Sequence, residues 1–185
     1  MMFADKPTLP GDRVTLRPVG PEHVEGLWEL VNDPETGRLT GSHAKPDHEA
    51  IKLWYASRGE HDNRLDLAIC ANDQDGAYVG EIVLNDLDTD NLSCNLRIAL
   101  IGPRVFGRGY GGEAIRLVLR HAFTTTPLHR IHLEVFTFNE RALHVYRKAG
   151  FVQEGVHRDA LRRDGEWHDS ITMAILAPDW KVREI

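Results

Sequence analysis

The sequence feature that most restricts the fold is a glycine-rich segment at residues 106–114, in which four of the six residues 107–112 are glycine. Apolar alternation predicts a strand over about residues 95–101, and helical spacing of apolar residues predicts a helix over about residues 111–124. Glycines at such a junction allow a tight turn and direct successive amides to one point, where the helix N-terminus adds partial positive charge. We therefore expect the segment to bind a phosphate or pyrophosphate group.

Three other interpretations of this segment fit the sequence less well. A glycine-rich turn without a ligand would not need so many glycines between two regular elements. A Walker loop needs Lys after its last glycine, and Glu113 stands there. A dinucleotide-binding fold is suggested by a G-x-G-x-x-G pattern and by Glu134 about 20 residues further on. However, residues 103–106 separate the strand from the glycines, and a hairpin near the end does not suit a doubly wound parallel sheet.

The rest of the chain alternates between strand and helix patterns. Asp164-Gly165 between two alternating runs predicts a hairpin, and Gly150 predicts the end of a helix. This order predicts an α/β domain with a mixed, mainly antiparallel sheet flanked by helices, around one parallel strand–helix–strand unit. The remaining predicted elements are strands over residues 13–18, 64–71, 77–84, 131–135, 151–161 and 166–176, and helices that begin near Pro21 and Pro46 or span residues 140–149.

Length, net charge, apolar runs and cysteine count restrict the class of protein that this chain can be. A length of 185 residues suits one domain, and a net charge of -6 argues against nucleic-acid binding while being compatible with a cationic amine substrate. No apolar run approaches the ~18 residues of a membrane span, and residues 1–10 lack the pattern of a secretion signal. The two cysteines, Cys70 and Cys94, are interpreted as buried free thiols. We therefore expect a cytoplasmic protein that binds neither nucleic acid nor membrane.

Several short motifs follow one another between about residue 84 and residue 176. They are Phe106-x-x-Gly109-x-Gly111, Asn139, Tyr146, Lys148-Ala149-Gly150-Phe151, Glu154-Gly155 and residues 163–169. Together they resemble the GNAT acetyltransferase superfamily, whose phosphate motif is Gln/Arg-x-x-Gly-x-Gly/Ala and from whose first position Phe106 departs. An aromatic residue there is similar to the Rim branch, the ribosomal-protein N-terminal acetyltransferases and their relatives. The N-terminal third matches only loosely, over residues 14–18.

The resemblance implies a GNAT-type single domain over residues 1–185, with an acetyl-CoA-binding core at about residues 92–155. The pantetheine arm of acetyl-CoA would pair with the strand before the glycines, and the amides of the glycine-rich segment would hold its pyrophosphate. Asn139 would contact the cofactor near the thioester, and a simpler role, a helix N-cap before Glu140, is compatible with this. The implied cofactor-binding residues are Ala99, Leu100, Ile101, Phe106, Gly107, Arg108, Gly109, Tyr110, Gly111, Gly112 and Asn139.

Glu134 is the candidate base for removing a proton from an acceptor amine. Side chains alternate along a strand, so Glu134 shares a face with His132 and Phe136 and would line the cleft beside the cofactor. Some N-terminal acetyltransferases of the superfamily that this chain resembles also place a Glu five residues before the Asn, as Glu134 precedes Asn139. The alternative is an exposed carboxylate in a surface ion pair.

Tyr146 is the candidate acid that protonates the departing thiolate. It follows Asn139 by seven residues, about two helical turns, which places both side chains on one helix face. A phenol with a pKa of about 10 holds a proton that the thiolate can take. The alternative is a tyrosine packed in the core.

The acceptor amine is the least restricted part of this prediction. An α-amine, with a pKa of about 7.7–8, is partly neutral at pH 7, whereas a lysine or polyamine amine near 10.4 needs a stronger base. A single carboxylate therefore favours a protein N-terminus as the acceptor. Small-molecule amines such as polyamines and aminoglycosides stay open, as do a non-catalytic acyl-CoA-binding module and a homodimer.

Two further sequence patterns resemble metal sites, but we expect neither to bind a metal ion. Asp86-x-Asp88-x-Asp90 begins like a calcium loop, but Arg97 stands where that loop needs Glu. His129 and His132 lie on opposite faces of a strand, so we expect no metal site there either. Trp54 and Tyr55 are interpreted as core residues rather than as a substrate platform.

Overall fold

A computed structural model describes residues 2–43 and 45–183, so residues 1, 44, 184 and 185 of the predicted domain lie outside the described residues. Within the described part, one eight-stranded sheet has the order β1-β2-β3-β4-β5-β6-β8-β7. The strands are β1 (Leu9–Pro10), β2 (Val14–Pro18), β3 (Leu65–Ala71), β4 (Ala77–Asp88), β5 (Ser93–Leu100), β6 (Arg130–Phe136), β7 (Val152–Arg163) and β8 (Glu166–Leu176). The α-helices are α1 (Val24–Asn32), α2 (Pro34–Thr40), α3 (His48–Arg58), α4 (Tyr110–Thr125), α5 (Glu140–Ala149) and α6 (Ala177–Arg183).

The strand directions confirm the predicted mixed, mainly antiparallel sheet. Every neighbouring pair is antiparallel except β5 and β6, which α4 connects as a parallel crossover. The parallel pairing begins at Ser93 with Arg130 and ends at Asn95 with His132. Beyond this point the two strands diverge, so residues 96–100 of β5 have no register partner on the β6 side. A cleft therefore opens in the middle of the sheet.

Each face of the sheet carries its own hydrophobic core. The larger core packs α4 and α5 on the face that also holds Leu133 of β6. Helix α4 contributes to this core through apolar positions at helical spacing, Ile115, Val118, Leu119 and Ala122. The smaller core packs α1 and α3 on the opposite face, against Ala68 of β3. Side chains that alternate along β4, β5 and β6 therefore face either one core or the other.

Local turn chemistry places most element ends where the sequence predicts them. Helix α5 spans the predicted residues and ends at Gly150, whose φ is 108°. Asp164 and Gly165 have φ values of 51° and 89°, the two positive angles of a tight hairpin turn between β7 and β8. The predicted burial of Cys70 and Cys94 as free thiols is confirmed.

Three elements were not predicted, namely β1, α2 and α6. The signal for α2 is present in the sequence, because the Asp33 side chain accepts the Thr36 amide at 2.7 Å and Pro34 occupies the first turn. Seven residues is too short a span for hydrophobic periodicity to reveal a helix.

The prediction for Trp54 is wrong. Its side chain is 47% exposed on α3, with the Arg58 guanidinium 3.8 Å from the centre of its ring. Tyr55 is buried as predicted, but its hydroxyl belongs to a polar network described below. In the described part of the chain, no helix is long and apolar enough to cross a membrane.

Candidate active site

A cavity of about 1150 Å³ occupies the cleft between β5 and β6. Its floor comes from the unpaired end of β5, and one wall comes from the glycine-rich segment and the first turn of α4. Strand β6 and helix α5 form the opposite wall, while α2 and β4 contribute residues on the α1–α3 face of the sheet. The cavity therefore passes through the sheet and joins its two faces.

The glycine-rich segment presents a row of uncommitted amides to this cavity. Gly107 and Gly109 adopt φ values of 75° and 83°, which L side chains rarely take, and Gly109 is the N-cap of α4. The first amide of this helix to find a partner is that of Glu113, which donates to the Gly109 carbonyl at 3.1 Å. Within the described residues, the six amides of residues 107–112 donate to no other group. This row, at a helix N-terminus, is suited to a pyrophosphate.

The side chain of Glu113 fixes the segment to the N-terminal strand. Its buried carboxylate accepts the amides of Asp12 at 3.2 Å, Arg13 at 2.7 Å and Val14 at 2.8 Å. A carboxylate in the first turn of a helix also interacts favourably with the helix dipole. The sequence alone does not predict this contact, because nothing in it connects Glu113 to residues 12–14.

Cationic side chains line the same half of the cavity. The Arg13 guanidinium donates to the Arg108 carbonyl at 3.3 Å, and the Arg141 guanidinium lies 3.5 Å from the centre of the Phe106 ring. Only Arg108 was predicted, since the other cations come from separate elements. The cations that line the cavity here are Arg13, Arg108, Arg116, Arg141 and Lys148. Together with the free amides, they fit the phosphate groups of acetyl-CoA.

The three residues predicted to pair with the pantetheine arm differ in position. Ala99 and Leu100 line the cavity, and Thr36 of α2 donates its hydroxyl to the Leu100 carbonyl at 2.8 Å. Ile101 is instead buried in the smaller core, and its amide donates to the Val79 carbonyl at 2.9 Å. The Ile101 amide is therefore already committed.

Asn139 and Tyr146 both reach the cavity from α5. The Asn139 side chain accepts the Ala142 amide at 3.2 Å, so its N-cap role is present alongside its position in the cavity wall. Tyr146 is buried and packs edge-on against Phe151, with 5.9 Å between ring centres. Burial raises the pKa of Tyr146, so its phenol keeps its proton at neutral pH. Tyr146 is thus both packed in the core and protonated at neutral pH.

Glu134 lies on the face of β6 opposite the larger core, together with His132 and Phe136. One carboxylate oxygen accepts the Ser170 hydroxyl at 3.2 Å, and the other lies 3.6 Å from Nδ1 of His157. The side chain is 56% exposed, so its carboxylate is open to the cavity and to solvent.

His132 also lines the cavity, on the face of β6 that carries Glu134, as strand alternation predicts. Its Nδ1 atom is buried and has no hydrogen-bond partner among the described residues. Burial, and then the charge of Arg130, lower the pKa of His132, so the ring is neutral at pH 7. No group of three or more His, Cys, Asp or Glu side chains that could hold a metal ion occurs in the described part of the chain.

Comparison with known proteins identifies the family. Residues 13–152 match the model of the acetyltransferase (GNAT) domain. The chain belongs to the GNAT acetyltransferases. It is therefore an N-acetyltransferase with acetyl-CoA as its acetyl donor, as the resemblance implied, rather than a non-catalytic binding module.

Individual relatives differ in their acceptors. An uncharacterised N-acetyltransferase of SPbeta prophage origin from Bacillus subtilis (strain 168) is 24% identical over 93% of this chain and 94% of its own length. The ribosomal protein uS5-alanine N-acetyltransferase of Escherichia coli (strain K12) is 34% identical over 43% of this chain and 41% of its own length. The structure of Vibrio cholerae spermidine N-acetyltransferase with CoA and spermine matches with a TM-score of 0.83, covering 92% of this chain and 99% of that one. At 23% identity, this last similarity establishes the fold.

Proposed function

We propose that this enzyme transfers the acetyl group of acetyl-CoA to the α-amine of a protein N-terminus. The observation that carries the proposal is the charge balance on the α1–α3 face of the cavity. Arg97 of β5 is exposed there and has no hydrogen bond or ion pair among the described residues. An unpaired guanidinium repels a polycation, whereas it can donate to the carbonyl groups that follow a peptide α-amine.

Glu134 and Tyr146 are proposed to move the two protons of the transfer. The neutral amine attacks the thioester carbon, so that a C–N bond forms and the C–S bond breaks. Glu134 takes the proton that leaves the nitrogen, and Tyr146 gives its phenolic proton to the departing sulfur. An α-amine with a pKa of about 7.7–8 has a sizeable neutral fraction at pH 7, which suits an exposed carboxylate as the base.

A polyamine is the second candidate acceptor, since carboxylates also line this face. Glu81, Asp86 and Glu134 could each pair with one ammonium group. The fold similarity to a spermidine enzyme is consistent with this alternative. However, Arg97 places a positive charge on this same face, and that charge already acts on Glu81, which reduces the attraction of this face for a polycation.

Coenzyme A release, measured over a panel of amines, tests the proposal. The panel contains peptides with different free N-terminal residues, the same peptides blocked at the α-amine, spermidine and an aminoglycoside. We expect the highest kcat/KM for a free N-terminus and no turnover for its blocked form. A higher kcat/KM for spermidine, or equal turnover of blocked lysine-containing peptides, would contradict the α-amine assignment. A cytoplasmic location belongs to the same proposal, because the acceptor named for the E. coli relative is a ribosomal protein.

A further inference from the structure

A hydrogen-bonded network of two tyrosines and a carboxyl group lies on the α1–α3 face of the sheet. The Tyr55 hydroxyl of α3 donates to Oε2 of Glu81 on β4 at 2.7 Å. The Tyr78 hydroxyl lies 3.0 Å from that of Tyr55. Tyr55 is only 1% exposed, so its phenol is held in place by the smaller core. The network therefore fixes the orientation of the Glu81 carboxyl group.

Glu81 faces the cavity as well as the network. It lines the cavity, and its register partners Ala68 and Ala99 both pack on the smaller-core face. Side chains directly opposite one another on antiparallel strands have Cβ atoms about 4.5–5.5 Å apart. Ala99 belongs to the open end of β5, so Glu81 lies one strand away from the cleft. Its second oxygen, Oε1, has no hydrogen-bond partner among the described residues.

Glu81 also shares a sheet face with Glu134. Ile131, Leu133 and Val135 of β6 belong to the larger core, so Glu134 points to the opposite face. Two carboxyl groups therefore reach the same side of the cavity from either side of the cleft. One is open to solvent and the other is half-buried.

We propose that Glu81 is a further catalytic residue, which binds the incoming ammonium group of the acceptor and removes its first proton, and that Tyr55 is its positioning residue. The ammonium group and the Glu81 carboxylate become a neutral amine and a carboxylic acid. The amine nitrogen then attacks the thioester, and its second proton goes to Glu134. This inference rests on transfer to an amine and on the proposed role of Glu134, but not on the identity of the acceptor.

The environment of Glu81 suits this proton transfer. Burial is the main cause that raises the pKa of Glu81, while the Tyr55 hydrogen bond and the charge of Arg97 lower it by less. An ordinary Glu, with a pKa of about 4.3, is a poor proton acceptor for an amine near 7.7–8, and a raised pKa narrows that gap. The charged or titratable groups around Glu81 are Tyr55 and Arg58 from α3, Arg64 just before β3, Asp66 from β3, Tyr78 from β4 and Arg97 from β5.

The variant E81Q tests the catalytic role, because its amide oxygen can still accept the Tyr55 hydrogen bond. With the best amine of the panel, we expect kcat/KM to fall by about 100-fold or more. Thermal stability and CoA affinity should be unchanged, as should turnover in the control E49Q, whose carboxylate lies exposed on α3. Wild-type turnover in E81Q would overturn the proposal, whichever amine the panel selects.

The variant Y55F tests the positioning role through the pH profile of kcat/KM. The lost hydrogen bond favoured the charged carboxylate, so its removal should raise the pKa of Glu81. Because Glu81 must be ionised to accept a proton, the acid limb should move to higher pH, and activity should recover as the pH rises. Ionisation of the amine substrate affects the pH profiles of the wild type and of Y55F equally, so it cannot produce a difference between them. A uniform loss of activity with an unshifted profile would mean that Tyr55 only supports the core.

Discussion

The two halves of the cavity are proposed to recognise their substrates by different means. For the cofactor half, the proposed contacts are backbone amides within six consecutive residues, 107–112. For the acceptor half, they are side chains from four separate elements, Tyr55, Glu81, Arg97 and Glu134. Recognition by backbone amides needs glycines, which are visible as a local motif in the sequence. Side chains from distant elements, by contrast, come together only when the chain folds. Substitutions in the acceptor half should therefore act on chemistry and specificity, and those in the cofactor half on CoA affinity.

The largest expected effect separates chemistry from cofactor binding. In E134Q, kcat should fall by about 100-fold or more, because the proton on the amine nitrogen loses its acceptor. The dissociation constant for CoA, measured by calorimetry, should stay at the wild-type value. The matched control is E60Q, because Glu60 is exposed and does not line the cavity. If E134Q kept the wild-type kcat, Glu134 would have no role as base. The division of the cavity into an acceptor half for chemistry and a cofactor half for CoA affinity would then be contradicted.

A smaller effect is expected from the glycines of the cofactor half. Gly107→Ala should weaken CoA binding by about 10-fold, since an L residue at a positive φ costs about 1–2 kcal/mol. Gly109→Ala should weaken it further, because its Cβ would also lie 3.3 Å from the Arg13 side chain, whereas that of Gly107 meets nothing within 4 Å. Calorimetric titration with CoA compares the two variants. Equal affinities in both would show that the Arg13 contact is immaterial.

The smallest expected effect concerns acceptor choice. In R97Q, kcat/KM for a peptide should fall by about 3- to 5-fold, while that for spermidine should rise, because a repulsive charge has been removed. The ratio of the two values is the quantity to measure, at low and at high salt. A ratio that does not change would remove the charge argument for a peptide acceptor.

The fold was largely predictable because its strongest signals are local. Asp164-Gly165, Gly150 and the glycine-rich segment each require a backbone conformation that few other residues adopt, so they mark their turns directly. Helix α2 was missed because one capping aspartate and one proline signal it without any apolar periodicity. Trp54 was misplaced because an aromatic residue on a short helix does not reveal which face is buried.

The candidate site was predictable only where the family resemblance or the backbone defines it. Glu134, Asn139 and Tyr146 follow from the resemblance, and the structure brings all three to one cavity. Arg13, Glu81 and Tyr55 could not be found, since each depends on register and packing between elements far apart in sequence. A carboxylate on a strand is indistinguishable in sequence from a solvated one until its neighbours are known.

The carboxylate of Glu113 has a consequence for the order in which the molecule assembles. It binds amides that lie 99 to 101 residues earlier in the chain, so this contact closes one of the long loops of the fold. Loop closure over such a distance carries an entropic cost that local turns do not. We therefore expect the anion-binding bend to acquire its final shape late in folding, when the start of the chain docks beneath it.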